Sequence, residues 1–91
     1  MSLFSPGLAA KQLQPEERLV VGGSKSSSLC CPLDQSMSRL HFLIEYSKEC
    51  PSIRDLESAN GTFVNRDAIR EALLPNEDRF MAGTTVFIVR L

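Results

Sequence analysis

The sequence predicts an all-β protein that folds as an antiparallel β-sandwich. Turn signals recur about every 8 to 12 residues between short apolar segments, a spacing typical of sandwiches. The last segment, TTVFIVRL, is dense in β-branched residues that favour strands. Residues 67–74 have weak helical character, although a strand–turn–strand interpretation also fits them. With 91 residues, the chain is expected to form one domain.

Composition and charge exclude several classes of function. The chain is 43% hydrophobic and 23% charged with a net charge of −1, and no block of like charges indicates a nucleic-acid or membrane-surface partner. No apolar run approaches the roughly 18 residues of a transmembrane helix. The N-terminus lacks the order of a secretory signal. We therefore expect an intracellular, cytoplasmic protein without a nucleic-acid or membrane partner.

The first half of the chain contains three strand signals. Residues 1–18 are predicted to be a lead-in with one edge strand, and residues 19–91 the main sandwich. Within the latter, Leu19-Val20-Val21 is a buried strand ended by two glycines, and a short strand around Cys30 follows the polar loop SKSSS. Residues 39–46 form a long strand, in which alternation puts Leu40, Phe42 and Ile44 on one face and His41, Leu43 and Glu45 on the other.

The three cysteines predict neither a disulfide nor a metal site. Their number is odd, Cys30 and Cys31 are adjacent, and no CxxC pair accompanies the single histidine. We interpret them as small apolar residues in a reducing compartment. No cofactor is implied.

The segment SRLH raises the question of catalysis, because it brings a serine and a histidine together. If the strand begins at Arg39, the side chains of Ser38 and His41 lie roughly 10 Å apart and on opposite faces. No glycine-flanked nucleophile elbow surrounds Ser38. We expect no catalytic residue here, and His41 is interpreted as a structural histidine that ties a loop to a strand.

The same segment could instead bind phosphate. A phosphate group requires hydroxyl, amide and cationic donors. Ser38 and Arg39 supply two of them, and Lys25 in the loop SKSSS could supply another. The simpler alternative is that Ser38 satisfies its own turn and Arg39 is solvated.

The pair Asn60-Gly61 is the strongest hairpin signal in the chain, because Asn-Gly favours positive φ at both central turn positions. Asn60 also begins an N-x-T glycosylation signal, which we regard as accidental without a secretion signal. Turns are further predicted at residues 47–51 and 75–78.

Taken in order, four segments resemble the forkhead-associated (FHA) domain family. They are VVGG, then SRLH beginning sixteen residues after Gly22, then IRDLESANGTFVN, and finally LLPNEDRFMAGTTVFIV. The family pattern is Gly-Arg, Ser-x-x-His, a strand ending near Asp-Leu, Ser-x-Asn-Gly-Thr and an apolar last strand. The resemblance runs from Leu19 to Leu91. It implies an eleven-stranded antiparallel sandwich of the FHA/SMAD type, here with abbreviated first strands.

The resemblance also implies a site for phosphothreonine in an extended peptide. Ser38 and Arg39 match positions that contact the phosphate, and Lys25 could add a cation. Asn60 matches the asparagine that holds the peptide main chain. The residues expected to brace the loops are Gly22, His41, Gly61 and Thr62.

Two departures from the family pattern concern the phosphate. The family arginine would fall on Gly23 if Gly22 is the first glycine, or on Ser24 if Gly23 is, and neither is cationic. Ala59 replaces a frequent Ser or Thr. Because hydrogen bonds to charged groups contribute about 1.5–3 kcal/mol each, losing the arginine could weaken binding by tens of fold.

Two functions therefore remain open. One is a phosphothreonine-dependent recognition module for signalling, with selectivity set by an apolar notch near Asn60 and by loops 65–67 and 47–51. The other is a degenerate domain that makes phosphate-independent protein contacts. The expected partner is a phosphothreonine-containing protein, with other domains or a second copy as further partners.

Overall fold

The computed structural model describes residues 1–6, 10–48, 50–74 and 79–90. Its eleven strands form two packed sheets, which confirms the predicted all-β sandwich. The strands are β1 (Ser2–Phe4), β2 (Lys11–Gln12), β3 (Arg18–Gly22), β4 (Leu29–Cys30), β5 (Phe42–Ser47), β6 (Cys50–Asp55), β7 (Thr62–Val64), β8 (Asp67–Ile69), β9 (Glu71–Leu73), β10 (Arg79–Ala82) and β11 (Thr85–Arg90). The turn predicted at residues 75–78 lies outside the described residues. Within those residues, no helix has the length and apolarity needed to cross a membrane.

The two sheets have different strand orders. The six-stranded sheet runs β2-β1-β11-β10-β7-β8, and the five-stranded sheet runs β4-β3-β5-β6-β9. The prediction of antiparallel pairing is wrong at one place, because β3 and β4 pair in parallel, with Val21 opposite Leu29. After Gly22 the chain loops back through residues 23–28, so β4 enters the sheet in the same direction as β3.

The N-terminal segment contributes more than the single edge strand that was predicted. Strand β1 lies inside the six-stranded sheet between β2 and β11, and of the first two strands only β2 is at an edge. Leu3 is fully buried opposite Val89. The first residues of the chain thus complete the core.

Three phenylalanines join the two sheets. Phe42 of β5 meets Phe80 and Phe87 of the opposite sheet edge to face, with ring centroids 5.0 and 5.2 Å apart. Phe80 and Phe87 stack on each other at 5.4 Å. Edge-to-face and offset pairs add roughly 0.5–1.5 kcal/mol beyond the burial of apolar area.

Strand β5 begins later than predicted, and this changes which residues face the core. Phe42 and Ile44 share a buried face, but Leu40, predicted to lie on the same face, is 46% exposed, and His41 is fully buried. The predicted strand start at Arg39 is therefore wrong. The chain turns at residues 38–41 because His41 is held between two loops by hydrogen bonds.

The hairpin predicted at Asn60-Gly61 is also wrong. Gly61 has the expected positive φ of 88°, but Asn60 is not among the residues with positive φ, and β6 and β7 belong to different sheets. The tight turn with two positive φ values lies instead at Asn65 and Arg66, between β7 and β8. Strand, turn and strand at residues 67–73 confirm that interpretation over a helix.

Candidate functional site

Three connections meet at one end of the sandwich. They are the Ser38 loop (residues 31–41), the Asn60 loop (residues 56–61) and the β10–β11 turn (residues 83–84). Strand β5 begins where β6 ends, since Phe42 pairs with Asp55. In the other sheet Thr62 pairs with Ala82, which places the turn beside the Asn60 loop. We call this end the loop pole.

Two hydrogen bonds join the Ser38 loop directly to the Asn60 loop. The backbone N–H of Ala59 donates to Oγ of Ser38 at 2.9 Å. The side-chain amide of Asn60 donates to the carbonyl oxygen of Ser36 at 2.8 Å. Residues more than twenty positions apart are thus neighbours, and Ser38 and Asn60 both lie at the junction.

His41 lies beneath this junction and holds both loops by their backbones. The N–H of Ser38 donates to Nδ1 at 2.9 Å, so Nδ1 must be unprotonated. Nε2 then carries the proton and donates to the carbonyl oxygen of Gly61 at 2.8 Å. Each ring nitrogen of this fully buried side chain is therefore used by backbone.

Ser38 and His41 are closer together than the predicted strand would place them, because the chain turns and brings the backbone N–H of Ser38 to 2.9 Å from Nδ1 of His41. The contact nevertheless runs through the backbone N–H of Ser38, while its hydroxyl faces Ala59. A general base must reach the proton it removes. His41 has no free nitrogen with which to activate the hydroxyl.

Asp55 organises the Asn60 loop from within. Its carboxylate accepts hydrogen bonds from the N–H of Ser58 at 3.1 Å, the hydroxyl of Ser58 at 2.6 Å and the hydroxyl of Thr62 at 2.8 Å. Burial raises the pKa of Asp55, but the bonds from Ser58 and Thr62, with the nearby His41, outweigh it and hold the pKa below its ordinary value. Thr62 thereby braces the loop. The role of Asp55 was not predicted, although the D-x-x-S spacing is a signal of such a turn.

Asp34 performs the corresponding task for the Ser38 loop. It accepts hydrogen bonds from the N–H of Ser36 at 3.0 Å, the N–H of Thr84 at 2.9 Å and the hydroxyl of Thr85 at 2.5 Å. Burial raises the pKa of Asp34, but the bonds from Thr85, Thr84 and Ser36 outweigh it and lower the pKa overall. The Ser38 loop is thus fastened to the β10–β11 turn. Sequence reasoning missed this residue because its main partners lie about fifty positions away.

These two carboxylates predict a specific acid sensitivity. A lowered pKa in the folded state means that the stabilisation is complete above the ordinary carboxyl pKa of 3.8 and is lost as the pH falls below it. We expect the free energy of unfolding, measured by urea denaturation from pH 6 to pH 2.5, to fall less steeply in Asp34→Asn and Asp55→Asn than in the parent. If the free energy of unfolding fell equally steeply with pH in the parent and in both variants, this account would be contradicted.

Gly22 at the end of β3 and Gly23 after it lie directly beside the Ser38 loop. A Cβ atom on Gly22 would overlap the carbonyl of Arg39 and lie 2.9 Å from Cα of Leu40, so only glycine fits there. The N–H of Gly23 donates to the carbonyl oxygen of Ser38 at 2.9 Å. A Cβ on Gly23 would meet the carbonyl oxygen of Met37 at 3.3 Å, a tight but negotiable contact.

The charged side chains proposed for phosphate contact are exposed. Arg39 and Lys25 are both solvent-accessible, and among the described residues neither forms a salt bridge. Lys25 belongs to the serine loop, where the hydroxyl of Ser27 donates to the carbonyl oxygens of Ser24 and Leu29. The two cations therefore remain available to a ligand.

One predicted selectivity loop lies at the wrong end of the molecule. Ser47 and Cys50 pair at the far ends of β5 and β6, and the six residues of β5 separate them from the loop pole by roughly 20 Å. The prediction for loop 47–51 is therefore wrong for a ligand at the pole. The β7–β8 turn at residues 65–66 is separated from the loop pole only by the three residues of β7. Its role in ligand selectivity stays a prediction.

The cysteines are free, and they do not converge on a metal site. Cys30 and Cys50 are half-buried and Cys31 is buried. Burial raises the pKa of the Cys31 thiol, with smaller contributions from Cys30 and Asp34. Among the described residues, no three or more histidine, cysteine or acidic side chains cluster as metal ligands would.

Comparison with known proteins relates this architecture to one family. The model of the family described as FHA domain matches residues 19–83. A comparison with curated protein sequences gave no match.

Several solved structures share the fold along nearly the whole chain. The FHA domain of CT664 from Chlamydia trachomatis is 25% identical, with 99% of this chain and 95% of that chain covered and a TM-score of 0.90. The FhaA FHA domain, crystallised with the intracellular domain of Rv3910, is 28% identical over 98% of each chain, with a TM-score of 0.86. A third, from a structural and functional analysis of phosphothreonine-dependent FHA domain interactions, is 28% identical over 99% of this chain and 94% of that chain, with a TM-score of 0.87.

The family model covers most of the sequence, and the structural match to the CT664 domain extends over 99% of this chain. The segments SRLH and SANGTFVN, which carried the resemblance, lie inside the matched range. The chain belongs to the FHA domain family.

Proposed function

We propose that this domain recognises phosphothreonine in an extended segment of a partner protein and performs no chemistry. The observation that best supports this proposal is the hydrogen bond from the N–H of Ala59 to Oγ of Ser38. This bond occupies an acceptor site of the hydroxyl and leaves its proton free to donate to an anion. The same contact joins the two loops, so the donor is positioned before any ligand arrives. Because phosphopeptides of this kind arise inside cells, an intracellular location belongs to the proposal.

Asn60 is suited to hold the main chain of the peptide. Its amide N–H group is fixed on the carbonyl oxygen of Ser36 at 2.8 Å. No described residue donates to its side-chain oxygen, which is therefore available to a backbone N–H of the ligand. A preorganised acceptor costs little ordering entropy on binding.

Arg39 supplies the charge for the phosphate, with Lys25 as a second cation. Guanidinium groups match phosphate oxygens in a bidentate geometry and form hydrogen bonds roughly twice as strong as neutral ones. Arg39 follows Ser38 directly and is exposed. In this proposal it replaces the arginine that the family pattern places after the first glycine.

Calorimetry with one threonine peptide pool, phosphorylated and plain, tests the proposal. We expect binding of the phosphorylated pool only, and no measurable binding in Ser38→Ala or in Arg39→Ala. Ser47→Ala and Arg18→Ala are matched controls at the opposite end of the sandwich and should bind as the parent does. Equal affinity for both pools would refute phosphate recognition.

A second candidate function is phosphate-independent protein contact, and Gly22, Gly23 and Ala59 favour it. Only glycine fits at position 22. In this candidate function Gly22 is taken as the first family glycine, and Gly23 stands at the position of the arginine. Ala59 adds no hydroxyl. A binding site without these groups could have lost its affinity for phosphate.

The variant Gly23→Arg separates the two candidates. Gly23 is not among the glycines with positive φ, so the backbone accepts a side chain after a shift of a few tenths of an ångström at Met37. A regained charge-assisted hydrogen bond of about 1.5–3 kcal/mol should raise phosphopeptide affinity at least tenfold. Binding that appears only in Gly23→Arg would indicate a degenerate site, and absence of binding in both proteins would favour the phosphate-independent function.

A further inference from the structure

We propose a second interaction surface on the outer face of the six-stranded sheet, which binds a polypeptide segment with alternating acidic and apolar side chains. This surface consists of an apolar row, Phe63, Met81 and Val86, and two flanking arginines, Arg66 and Arg79. It lies on a face of the sandwich rather than at the loop pole. It does not depend on the phosphate proposal.

The apolar row is fixed by the register of three neighbouring strands. Met81 of β10 is directly opposite Phe63 of β7 on one side and Val86 of β11 on the other. Met81 and Val86 are each 38% exposed. The residues next to Met81 and Val86 in their strands, Phe80 and Phe87, point into the core. By alternation the apolar row therefore lies on the outer face. Contiguous apolar surface of this kind marks interaction sites more often than scattered single residues do.

The two arginines border the row on the side away from the loop pole. Arg66 and Arg79 line the same hollow as Phe63, Met81 and Val86. The volume of this hollow is about 520 Å³. No described acidic side chain forms a salt bridge with either arginine. On the strands of this sheet the only described acidic residue is Asp67, which pairs with Val64 and so lies on the opposite face from Phe63.

On the outer face of the five-stranded sheet, by contrast, the arginines form salt bridges. There Arg18 pairs with Glu45 at 3.4 Å, and Arg54 pairs with Glu71 at 2.9 Å. The arginines on that face are neutralised within the molecule. Of the two outer sheet faces, only the one with Phe63, Met81 and Val86 presents cations beside exposed apolar side chains without such partners among the described residues.

Charge complementarity selects the occupant. A segment that alternates acidic and apolar residues places carboxylates on Arg66 and Arg79 while its apolar side chains cover the row, and complementary potentials favour that partner over others. Nucleic acid would satisfy the arginines but leave Phe63 and Met81 exposed. A second copy of this chain is less suited, because Glu45 and Glu71 on its other face are already paired.

The test is a titration of the full chain followed by amide NMR shifts at low and at physiological salt. The probe is a synthetic peptide of alternating glutamate with leucine and phenylalanine, and its control carries lysine in place of glutamate. We expect shifts in β7, β10 and β11 with the acidic peptide only. The double variant Arg66→Glu/Arg79→Glu should weaken binding at least fivefold, whereas Arg18→Glu/Arg54→Glu on the other face should not. Met81→Glu provides a second variant should the first fail to fold.

Four results would overturn the proposal. They are shifts confined to the loop pole or to the five-stranded sheet, unchanged affinity in a folded Arg66→Glu/Arg79→Glu protein, equal or tighter binding of a duplex oligonucleotide, and a concentration-dependent dimer that uses this face. Phosphopeptide titration of the same double variant keeps the two proposals apart, because its outcome depends on the loop pole alone.

Discussion

Replacement of His41 by alanine is expected to lower the free energy of unfolding by about 3–5 kcal/mol and to abolish any binding at the loop pole. The imidazole is fully buried and holds the N–H of Ser38 at 2.9 Å and the carbonyl oxygen of Gly61 at 2.8 Å. Its removal leaves two backbone groups unpaired and opens a cavity between the loops. Urea denaturation measures the stability, and amide hydrogen exchange at Ser38 and Gly61 reports the loosening of each loop.

A matched pair of variants distinguishes the two ends of this bridge. In His41→Asn the side-chain oxygen can replace Nδ1 as acceptor for Ser38, whereas in His41→Gln the terminal amide can replace Nε2 as donor to Gly61. We therefore expect exchange protection at Ser38 to survive better in His41→Asn than in His41→Gln. A stable alanine variant, within 1 kcal/mol of the parent and with unchanged exchange at Ser38, would show that the bridge does not hold the loops.

Phe42→Ala should have an effect of similar size on stability, for a different reason. Phe42 is fully buried and makes edge-to-face contacts with Phe80 and Phe87, which come from the other sheet. Truncating a buried phenylalanine costs about 3–5 kcal/mol, which is a large part of the 5–15 kcal/mol that stabilises a typical domain. The measurement is the midpoint and slope of urea unfolding followed by far-ultraviolet circular dichroism.

The control for this prediction is Phe42→Leu, which keeps most of the buried volume. It should lose clearly less stability than the alanine variant, because the cavity is smaller. A Phe42→Ala protein as stable as Phe42→Leu would mean that the two sheets are held together elsewhere than at this aromatic cluster.

Alternation of apolar residues predicted the strands well wherever a strand is long and half buried. Phe42 and Ile44 in β5, and Phe87 and Val89 in β11, face the core as the pattern requires. The start of β5 was missed because the hydrogen bonds of His41 override the alternation, turning the chain and exposing Leu40. Local pattern cannot foresee a tertiary contact to Gly61.

The positive φ of Gly61 was predicted correctly, but the hairpin around it was not. Gly61 does adopt positive φ, but the Asn60-Gly61 segment crosses between sheets because Asp55 and Thr62 are linked side chain to side chain. The true two-residue turn at Asn65 and Arg66 carries no glycine and gave no comparable signal. Asn tolerates the left-handed region better than most residues, which is why the turn can form there.

Several residues of the candidate site were predicted from the sequence, but its two acidic supports, Asp34 and Asp55, were not. Ser38, Asn60 and His41 belong to short motifs that stand out in the sequence, and the structure brings them together at one end. Asp34 did not stand out, because its significance depends on Thr84 and Thr85 in a distant turn. Such long-range braces become visible only when the fold is known.

Titration of isotopically labelled protein with one phosphothreonine peptide, followed by amide NMR, tests the central claim most directly. If the two loops form a ready-made seat for the phosphate, the largest shifts will fall on Ser38, Arg39, Ala59 and Asn60, and the unphosphorylated peptide will leave those signals unchanged. Shifts that are the same for both peptides, or that avoid these four amides, would contradict it.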